Sequence, residues 1–479
     1  MPLIKSISGI RGTIGDKEVG NLTPAAIVRF TAAFALLLSE KKSGKKKDKK
    51  KNKGSASTRT FGTRRRMVIG RDGRTSGEMV RGHVVDTLTK LGIDVVDLGL
   101  STTPTVEIAV KKEKAIGGII ITASHNPEEW NALKLLNSKG EFISAKRGQK
   151  VLELAEKKDF ALVAAEKSGA VITDDSYLQK HIDAVLNYPL VNVKAIAGQE
   201  YKIVVDAVNS TGAIFVPALL NALGVNDVIV LNGEVTGKFA HNPEPLPEHL
   251  TQLSNEVLKQ KAHLGIAVDP DVDRLCFVCE DGSMFGEEYT LVAVADYVLS
   301  KRKGNTVSNM SSTKALKEIT IKRKGKYYPS AVGEVNVVDK MKEVDAVIGG
   351  EGNGGIIVPD FHYGRDALIG IGLFLSHLAE QNKSISSMRK MYPGYIISKN
   401  KIELGKGVDV KAIFEKIRKK YKKQPINTDD GLKIEFDNDW VHLRTSNTEP
   451  IIRIYAESEF ETRANNMAMQ LMRDVKEFG

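Results

Sequence analysis

Three apolar segments that each end in a loop of small or polar residues constrain the fold of this chain most strongly. They are GIIITASHNP (118–127), LGIAVDPDVDR (264–274) and AVIGGEGNGG (346–355). Each is typical of a buried strand that ends in a loop, and helical patterns separate such strands almost throughout the chain. In α/β sheets, ligands bind at the carboxyl ends of strands. The pattern therefore predicts an α/β protein with mainly parallel or mixed sheets, in which three related domains direct one loop each at a shared cleft.

The length of 479 residues is too great for one hydrophobic core, so we expect three or four domains. The C-terminal part has a different pattern, typical of a small α+β domain. Its predicted elements are a helix over 410–423, strands around 432–436, 440–444 and 451–456, and a closing helix over 461–478. Boundaries near 171, 288 and 393 give the predicted domains 1–171, 172–288, 289–393 and 394–479.

The composition, 42% hydrophobic and 27% charged, is that of a globular protein. The two cysteines, Cys276 and Cys279, lie in an apolar strand-like run and are predicted to be buried thiols rather than half of a metal site. A chain without a disulfide framework or a long apolar stretch is expected in the cytoplasm, without a membrane partner.

The net charge of +11 is concentrated in one lysine-rich segment. Residues 41–66 hold 13 of the 70 Lys and Arg residues and one of the 59 Asp and Glu residues, which leaves a net charge of −1 on the rest of the chain. We predict a disordered, solvated loop with no specific nucleic-acid partner. Loose, salt-sensitive binding of polyanions is the alternative.

The first loop contains Ser124, with His125 as its neighbour and Lys134 downstream. The pattern after the loop, beginning at Glu128 and Glu129, predicts a helix, whose dipole and backbone N–H groups favour negative charge near the serine. No GxSxG elbow surrounds Ser124, which argues against a serine protease. The loop therefore suits a serine that carries a phosphate.

The second loop places carboxylates at Asp269, Asp271 and Asp273, directly after an apolar strand. An extended loop can direct all three at one hard cation, and Mg²⁺ prefers such oxygen ligands. Arg274 is suited to anchor a phosphate or to steady the acids. A calcium-binding EF-hand is disfavoured because the required Gly and Glu are absent, and a solvated acidic turn is the simpler alternative.

Two further loops carry candidate binding groups. Residues 444–450, with Arg453 beyond, combine arginines, hydroxyls and an amide that could close around a phosphate, although a polar hairpin turn has the same composition. In the glycine-dense residues 349–355, Glu351 and Asn353 are the candidates to bind sugar hydroxyls. A plain flexible loop is the alternative.

Arginines also occur near two tight turns of the N-terminal region. Arg11 is a candidate to face a phosphorylated Ser124, whereas Arg71 and Arg74 are equally suited to structural ion pairs.

Taken together, the motifs resemble the α-D-phosphohexomutase family over nearly the whole chain. TASHNP resembles the family's phosphoserine loop, DPDVDR its metal loop, GEGNGG its sugar loop and RTSNTEP its phosphate-binding loop. The resemblance implies three related mixed-sheet α/β domains and a C-terminal α+β domain of the TATA-binding-protein-like type, arranged around a central cleft.

The resemblance also implies roles for the matching residues. Ser124 would carry the phosphoryl group, Lys134, Arg11 and His125 would assist proton transfer and charge neutralisation, and Arg274 would contact substrate. The metal ligands for Mg²⁺ would be Asp269, Asp271, Asp273 and an oxygen of phosphorylated Ser124. The substrate ligands would be Glu351, Asn353, Arg444, Ser446, Asn447, Thr448 and Arg453.

The implied reaction moves a phosphate between C1 and C6 of a hexose, through phosphoserine and a hexose 1,6-bisphosphate intermediate. The expected partner is a phosphosugar, and the expected assembly is a monomer or a homodimer. A Mg²⁺-dependent sugar phosphatase is the remote alternative.

Two departures from the family pattern bear on the choice of sugar. The sugar loop ends in Asn353-Gly354-Gly355, where many phosphomannomutase/phosphoglucomutase members end in Ser-Gly-His, and residues 332–336 lack a cation. The GEGNGG form resembles the phosphoglucosamine mutase branch most closely. We therefore expect glucosamine phosphate as the favoured substrate, with mannose or glucose phosphate as the alternative.

Overall fold

The computed structural model describes residues 4–6, 9–15, 20–39, 65–156, 160, 162–405, 407–446 and 451–479. These residues form four sheets, one after another along the chain. The predicted lysine-rich loop lies outside the described residues, apart from Arg65 and Arg66.

The first sheet has eight strands and is mixed. Its order is β1-β2-β7-β6-β4-β5-β8, with β3 beside β2. The strands are β1 (Ile4–Ser6), β2 (Gly9–Ile14), β3 (Asn21–Leu22), β4 (Arg66–Arg71), β5 (Asp94–Leu100), β6 (Gly117–Ile121), β7 (Trp130–Asn137) and β8 (Val171–Thr173). The helices are α1 (Pro24–Ser39), α2 (Gly77–Lys90), α3 (Thr103–Lys112) and α4 (Ala145–Ala155).

The second sheet has the order β10-β9-β11-β12, in which only β12 is antiparallel to its neighbour. Its elements are α5 (Tyr177–Leu186), α6 (Val193–Ala197), β9 (Lys202–Asp206), α7 (Gly212–Ala222), β10 (Asp227–Leu231), α8 (Thr251–Gln260), β11 (Leu264–Val268) and β12 (Leu275–Cys279). Both β11 and β12 are buried along their whole length, which explains their unbroken apolar sequences. The prediction of buried thiols at Cys276 and Cys279 is confirmed.

The third sheet has the order β14-β13-β15-β16-β17 and is also mixed. Its elements are α9 (Glu287–Lys301), β13 (Asn305–Asn309), α10 (Ala315–Lys322), β14 (Tyr327–Ser330), α11 (Glu334–Glu343), β15 (Ala346–Glu351), β16 (Gly355–Val358), β17 (His362–Arg365), α12 (Ala367–Gln381) and α13 (Ile385–Arg389). Stacked rings of Phe277 and Phe374, with Phe285 edge-on, join the second and third sheets in one apolar core.

The fourth sheet is antiparallel, in the order β18-β22-β21-β20-β19. Its elements are β18 (Ile396–Glu403), α14 (Val410–Lys420), β19 (Ile426–Asn427), β20 (Leu432–Glu435), β21 (Trp440–Thr445), β22 (Ile451–Ser458) and α15 (Glu461–Phe478). Together the four sheets confirm the predicted architecture of three mixed-sheet α/β domains and an α+β C-terminal domain. Among the described residues, no helix combines the length and apolar character needed to cross a membrane.

Candidate active site

The loop that carries Ser124 connects two antiparallel strands, so the predicted helix after it is wrong. Strand β6 ends at Ile121, and the chain returns as β7 from Trp130 to Asn137, between β2 and β6. Seven of the eight β7 residues are buried, and a strand covered on both faces has an apolar pattern that periodicity cannot tell from a buried helix. Lys134 therefore lies on a strand, and no helix dipole acts on Ser124 from this segment.

The backbone of the serine loop is held from inside by Arg74. Ser124 has a φ of 50°, in the left-handed region that non-glycine residues seldom adopt. The buried guanidinium of Arg74 donates to the carbonyl oxygens of Ser124 (2.6 Å), Asn126 (2.6 Å) and Trp130 (3.0 Å), and it pairs with Asp72 at 3.1 Å. The loop is thus fixed in a strained conformation by a structural ion pair of the kind that sequence reasoning proposed for Arg74.

The three aspartates of the second loop lie around the serine hydroxyl. Ser124 Oγ donates to Asp269 Oδ2 at 2.7 Å, and carboxylate oxygens of Asp269, Asp271 and Asp273 lie within 4.8 Å of one another. All three are fully buried, and Asp271 Oδ1 and Asp273 Oδ1 have no hydrogen-bond partner. A buried acceptor oxygen without a hydrogen-bond donor costs free energy unless a cation binds it. These carboxylate oxygens therefore fit a hard metal ion such as Mg²⁺.

Lys134 is the cation nearest to this cluster. Its Nζ lies 2.6 Å from Asp271 Oδ2 and 3.2 Å from Asp273 Oδ2, and Thr103 Oγ1 donates to the same Asp271 oxygen at 2.5 Å. Although burial alone would lower the pKa of Lys134, the two aspartates outweigh it and raise that pKa above its ordinary value. Lys134 is therefore a charged neutralising group in this arrangement.

The carboxylates differ in how readily they hold negative charge. Burial, together with the charges of Asp273 and Asp271, raises the pKa of Asp269 well above its ordinary value. Burial acts the same way on Asp273, but Arg365 and Lys134 outweigh it and hold that pKa below the usual range. A cation bound among the three would remove the repulsion that Asp269 experiences.

Two arginines contact the serine loop at Asn126 and His125. Arg11 Nη1 donates to Asn126 Oδ1 at 3.2 Å, and Arg274 Nη2 donates to His125 Nδ1 at 2.8 Å. Arg274 also pairs with Glu244 at 2.7 Å and lies 3.9 Å from Asp269. Burial, followed by the charges of Arg274 and Arg11, lowers the pKa of His125 well below its ordinary value. His125 is therefore neutral here, and the two arginines supply the positive charge that an anion would meet.

The sugar loop reaches the same region from the end of β15. Glu351 Oε1 accepts from Asn309 Nδ2 at 2.9 Å and from the Gly333 N–H at 3.0 Å. Asn353 Oδ1 accepts from the Gly355 N–H at 3.2 Å, which leaves its amide group available to a ligand. The structure thus brings Glu351 into contact with the 332–336 segment, which is the one that lacks a cation.

Arg365, which no sequence motif contained, connects these loops. Its guanidinium pairs with Asp273 (2.8 Å), Glu334 (3.0 Å) and Glu351 (3.1 Å). These residues lie 92, 31 and 14 positions away, so local sequence gave no signal for the contact.

A chain of buried polar contacts lies behind the site and crosses three domains. Thr105 Oγ1 and His181 Nδ1 are 2.8 Å apart, and Asp366 Oδ2 lies 2.9 Å from His181 Nε2 and 3.0 Å from His362 Nε2. His362 Nδ1 lies 3.3 Å from Glu107 Oε2. We refer to these five residues as the interdomain chain.

The fourth domain contributes two arginines. Arg444 and Arg453 are directly opposite each other on β21 and β22, and Arg444 Nε lies 3.3 Å from Asp430 Oδ2. Two like charges at a cross-strand pair favour an anion between or above them. The Ser446 N–H donates to the Ile451 carbonyl at 3.0 Å and so closes the hairpin, while Asn447 and Thr448 lie outside the described residues.

Models of four consecutive domains of one family match the chain. They are the phosphoglucomutase/phosphomannomutase alpha/beta/alpha domains I, II and III and the C-terminal domain, at residues 51–162, 179–282, 286–395 and 401–474. The chain belongs to the phosphoglucomutase/phosphomannomutase family. The predicted family membership and the predicted mutase activity are confirmed.

Curated relatives of this phosphohexomutase have more than one activity. A phosphoglucomutase/phosphomannomutase of Thermococcus kodakarensis is 35% identical over 95% of both chains. A probable phosphoglucosamine mutase of Methanopyrus kandleri is 33% identical over 86% of this chain and 90% of that protein. Among solved structures, a phosphoglucomutase/phosphomannomutase family protein of Burkholderia thailandensis superposes with a TM-score of 0.80 at 24% identity, over 99% of this chain and 98% of its own.

Proposed function

We propose that this phosphohexomutase interconverts hexose 6-phosphate and hexose 1-phosphate through phosphoserine at Ser124, with glucosamine phosphate as the favoured substrate. The observation that carries the proposal is the 2.7 Å contact between Ser124 Oγ and Asp269, inside a buried cluster with two unpartnered carboxylate oxygens. A hydroxyl placed there is suited to carry a phosphoryl group beside a metal ion.

In the first half-reaction, the Ser124 Oγ–P bond breaks and a bond forms between phosphorus and the free sugar hydroxyl oxygen. Mg²⁺ bound by Asp269, Asp271, Asp273 and an oxygen of the Ser124 group would supply the charge that stabilises the transferring phosphoryl group. Lys134 neutralises charge beside the same aspartates, and Arg11 and Arg274, which contact Asn126 and His125, are the cations that would hold the phosphate. The sugar hydroxyl loses its proton and Ser124 Oγ ends the step as a hydroxyl, so the proton passes in net terms from the sugar to Ser124, and we assign Lys134, Arg11 and His125 to assist this transfer.

The second half-reaction returns the other phosphate of the hexose 1,6-bisphosphate to Ser124 after the sugar has turned around. The phosphate away from Ser124 must be held in both orientations, and we assign this task to Arg444 and Arg453, which lie opposite each other on β21 and β22, together with Ser446. We assign Asn447 and Thr448 to the same loop on the family pattern alone.

Domain boundaries near 171, 288 and 393 complete the proposal, with β8 (Val171–Thr173) belonging to the first domain because it pairs with β5.

The charge of the sugar pocket favours an amino sugar. Glu334 and Glu351 share one guanidinium, that of Arg365, which also pairs with Asp273. Burial raises the pKa of Glu334 to about 7, so Glu351 and a partly ionised Glu334 face this one cation, and they would accept from the ammonium group of glucosamine phosphate. The probable phosphoglucosamine mutase among the relatives supports the same choice, while the phosphoglucomutase/phosphomannomutase keeps glucose and mannose phosphates as the alternative.

Initial rates on glucosamine 6-phosphate, glucose 1-phosphate and mannose 1-phosphate, measured side by side with Mg²⁺, test the substrate. A higher kcat/KM for glucose or mannose phosphate than for glucosamine phosphate would reject the proposed preference. Intact-mass analysis after incubation with hexose 1,6-bisphosphate tests the chemistry: one phosphoryl group is expected on wild type and none on Ser124→Ala. Release of inorganic phosphate without isomerisation would instead favour a phosphatase.

A further inference from the structure

Arg365 is the feature of the site for which neither the motifs nor the proposed reaction has a role. It ends β17, and 8% of its surface is exposed. Each nitrogen of its guanidinium meets a different carboxylate: Nε meets Glu334 at 3.0 Å, Nη1 meets Glu351 at 3.1 Å and Nη2 meets Asp273 at 2.8 Å. One planar group therefore joins the metal loop, the sugar loop and the first turn of α11.

These contacts are not duplicated by other cations. In the part of the chain that the structure describes, Arg365 is the one basic residue that forms an ion pair with Glu334 or Glu351. Asp273 has a second partner in Lys134, at 3.2 Å. Loss of Arg365 would leave two buried carboxylates without a counter-ion and would free Asp273 to turn toward Lys134.

The sequence makes room for this arginine at the end of the sugar loop. A Cβ atom added at Gly355 would lie 2.3 Å from Arg365 Cδ and 3.0 Å from its Cγ. Gly355 is the position at which the Ser-Gly-His form of the motif would have its histidine side chain. The aliphatic stem of Arg365 occupies that space and brings a cation to it from β17 instead.

We propose that Arg365 is a positioning residue that fixes Glu351 and Asp273 relative to each other, so that sugar and metal are held in one geometry. The proposal rests on the proposed function in that it takes Glu351 as a sugar ligand and Asp273 as a metal ligand. Gly355 is needed for this position of Arg365, because only a residue without a side chain leaves the arginine in place.

The test compares Arg365→Ala, Gly355→Ala and the double variant. Arg365→Ala removes the guanidinium, whereas Gly355→Ala retains it but displaces it from the carboxylates. Each single variant is expected to lower kcat by about 100-fold with a smaller change in KM, since displacements of about 1 Å have effects of this size. The double variant should lose little more than Arg365→Ala alone, because the two closest atoms to the methyl group at position 355, Arg365 Cδ and Cγ, are then absent and only Asn353 Oδ1 remains, at 3.1 Å.

Calorimetric titration with Mn²⁺ gives a readout that does not depend on turnover. Both single variants should bind Mn²⁺ about tenfold more weakly than wild type, as expected when a group that orients a metal ligand is lost. Arg365→Lys should restore thermal stability but not kcat, because an ammonium group cannot pair with three carboxylates in fixed directions.

Two controls separate positioning from general damage. Gly394→Ala adds a methyl group where no atom lies within 4 Å, and Arg302→Ala removes an arginine that pairs with exposed Asp360. Both should keep the wild-type kcat and Mn²⁺ affinity. Unchanged kcat and Mn²⁺ affinity in Gly355→Ala, or losses that multiply in the double variant, would overturn the proposal. If Arg365→Ala weakens Mn²⁺ binding but wild type has no mutase turnover, the proposed function is rejected and this inference stands.

Discussion

Two buried ionic clusters lie where the first three domains meet, and they differ in whether their charges are matched. The site cluster has three aspartates against Lys134, a share of Arg365 and Arg274 at 3.9 Å from Asp269, and two of its carboxylate oxygens have no hydrogen-bond partner. In the interdomain chain, Asp366 lies between His181 and His362, and Glu107 lies beside His362. Each carboxylate of the second cluster thus faces an imidazole from another part of the fold.

The difference separates function from structure. Burying a charge without a partner costs several kcal/mol, so a folded protein keeps such an arrangement where something else completes it. In the interdomain chain each carboxylate faces an imidazole, although Glu107 Oε1, Glu107 Oε2 and His362 Nδ1 form no hydrogen bond, and we infer that these pairs hold three domains together. The site cluster retains two carboxylate oxygens without a donor, and a cation and a phosphoryl group are the partners that we propose for it.

The largest expected effect is a loss of mutase turnover in Ser124→Ala without a loss of stability. Ser124→Ala should lower mutase turnover by about 10⁴-fold, equivalent to about 5 kcal/mol, because the phosphoryl carrier is gone. The thermal midpoint should stay within a few degrees of wild type. Steady-state kinetics and a thermal scan measure the two quantities.

The matched control is Ser138→Ala, at an exposed turn after β7, which should leave both quantities unchanged. Turnover of Ser124→Ala at the wild-type rate would remove Ser124 from the mechanism.

The opposite behaviour is expected in the interdomain chain. Asp366→Asn deprives His181 and His362 of their shared carboxylate and should lower the free energy of unfolding by about 3 kcal/mol. Denaturant titration measures the change. Asp360→Asn, at an exposed ion pair with Arg302, should cost less than about 1 kcal/mol. Equal losses for the two variants would show that the interdomain chain is not a stabilising device.

The interdomain chain should also make stability depend on pH. Burial raises the pKa of Glu107 to about 8, and for His362 the effects of Asp366 and Glu107 outweigh burial and raise the pKa to about 9. Both folded-state values exceed the unfolded ones, so the stabilisation is complete below the unfolded pKa values and is lost as pH rises through 8 to 9.

We expect the free energy of unfolding to fall by about 2 kcal/mol between pH 6.5 and 9.5, measured by denaturant titration. Asp366→Asn should flatten this dependence, since it removes the main group that raises the His362 pKa. A slope that is the same in wild type and variant would assign the pH dependence to other groups.

The smallest effect has the opposite sign and belongs to the site cluster. Asp269 is repelled by Asp271 and Asp273, so metal-free Asp269→Asn should be more stable than metal-free wild type by about 1 kcal/mol. The variant should gain little further stability from Mg²⁺, whereas wild type should gain more. Asp227→Asn, at an exposed position, is the control, and a destabilised metal-free Asp269→Asn would contradict the view of an incomplete cluster.

Much of the site was predictable because its reactive groups lie in short segments with local signals. The strand-to-loop pattern located Ser124 and the three aspartates, and the structure places the serine hydroxyl against Asp269. The helix predicted after Ser124 was wrong because β7 is covered on both faces, which removes the alternation that identifies a strand. Strand β18, on the edge of the fourth sheet, had no distinct apolar signal and was not predicted.

The sequence by itself determined which chemical groups this protein presents, since a serine in a polar loop, a run of aspartates and a glycine-rich loop each lie within a few consecutive residues. Only the tertiary structure decided which charge faces which. Arg365 meets Asp273 across 92 residues, and Asp366 meets His181 across 185. Such pairings depend on how strands from separate domains end beside one another, and local propensity does not encode that arrangement.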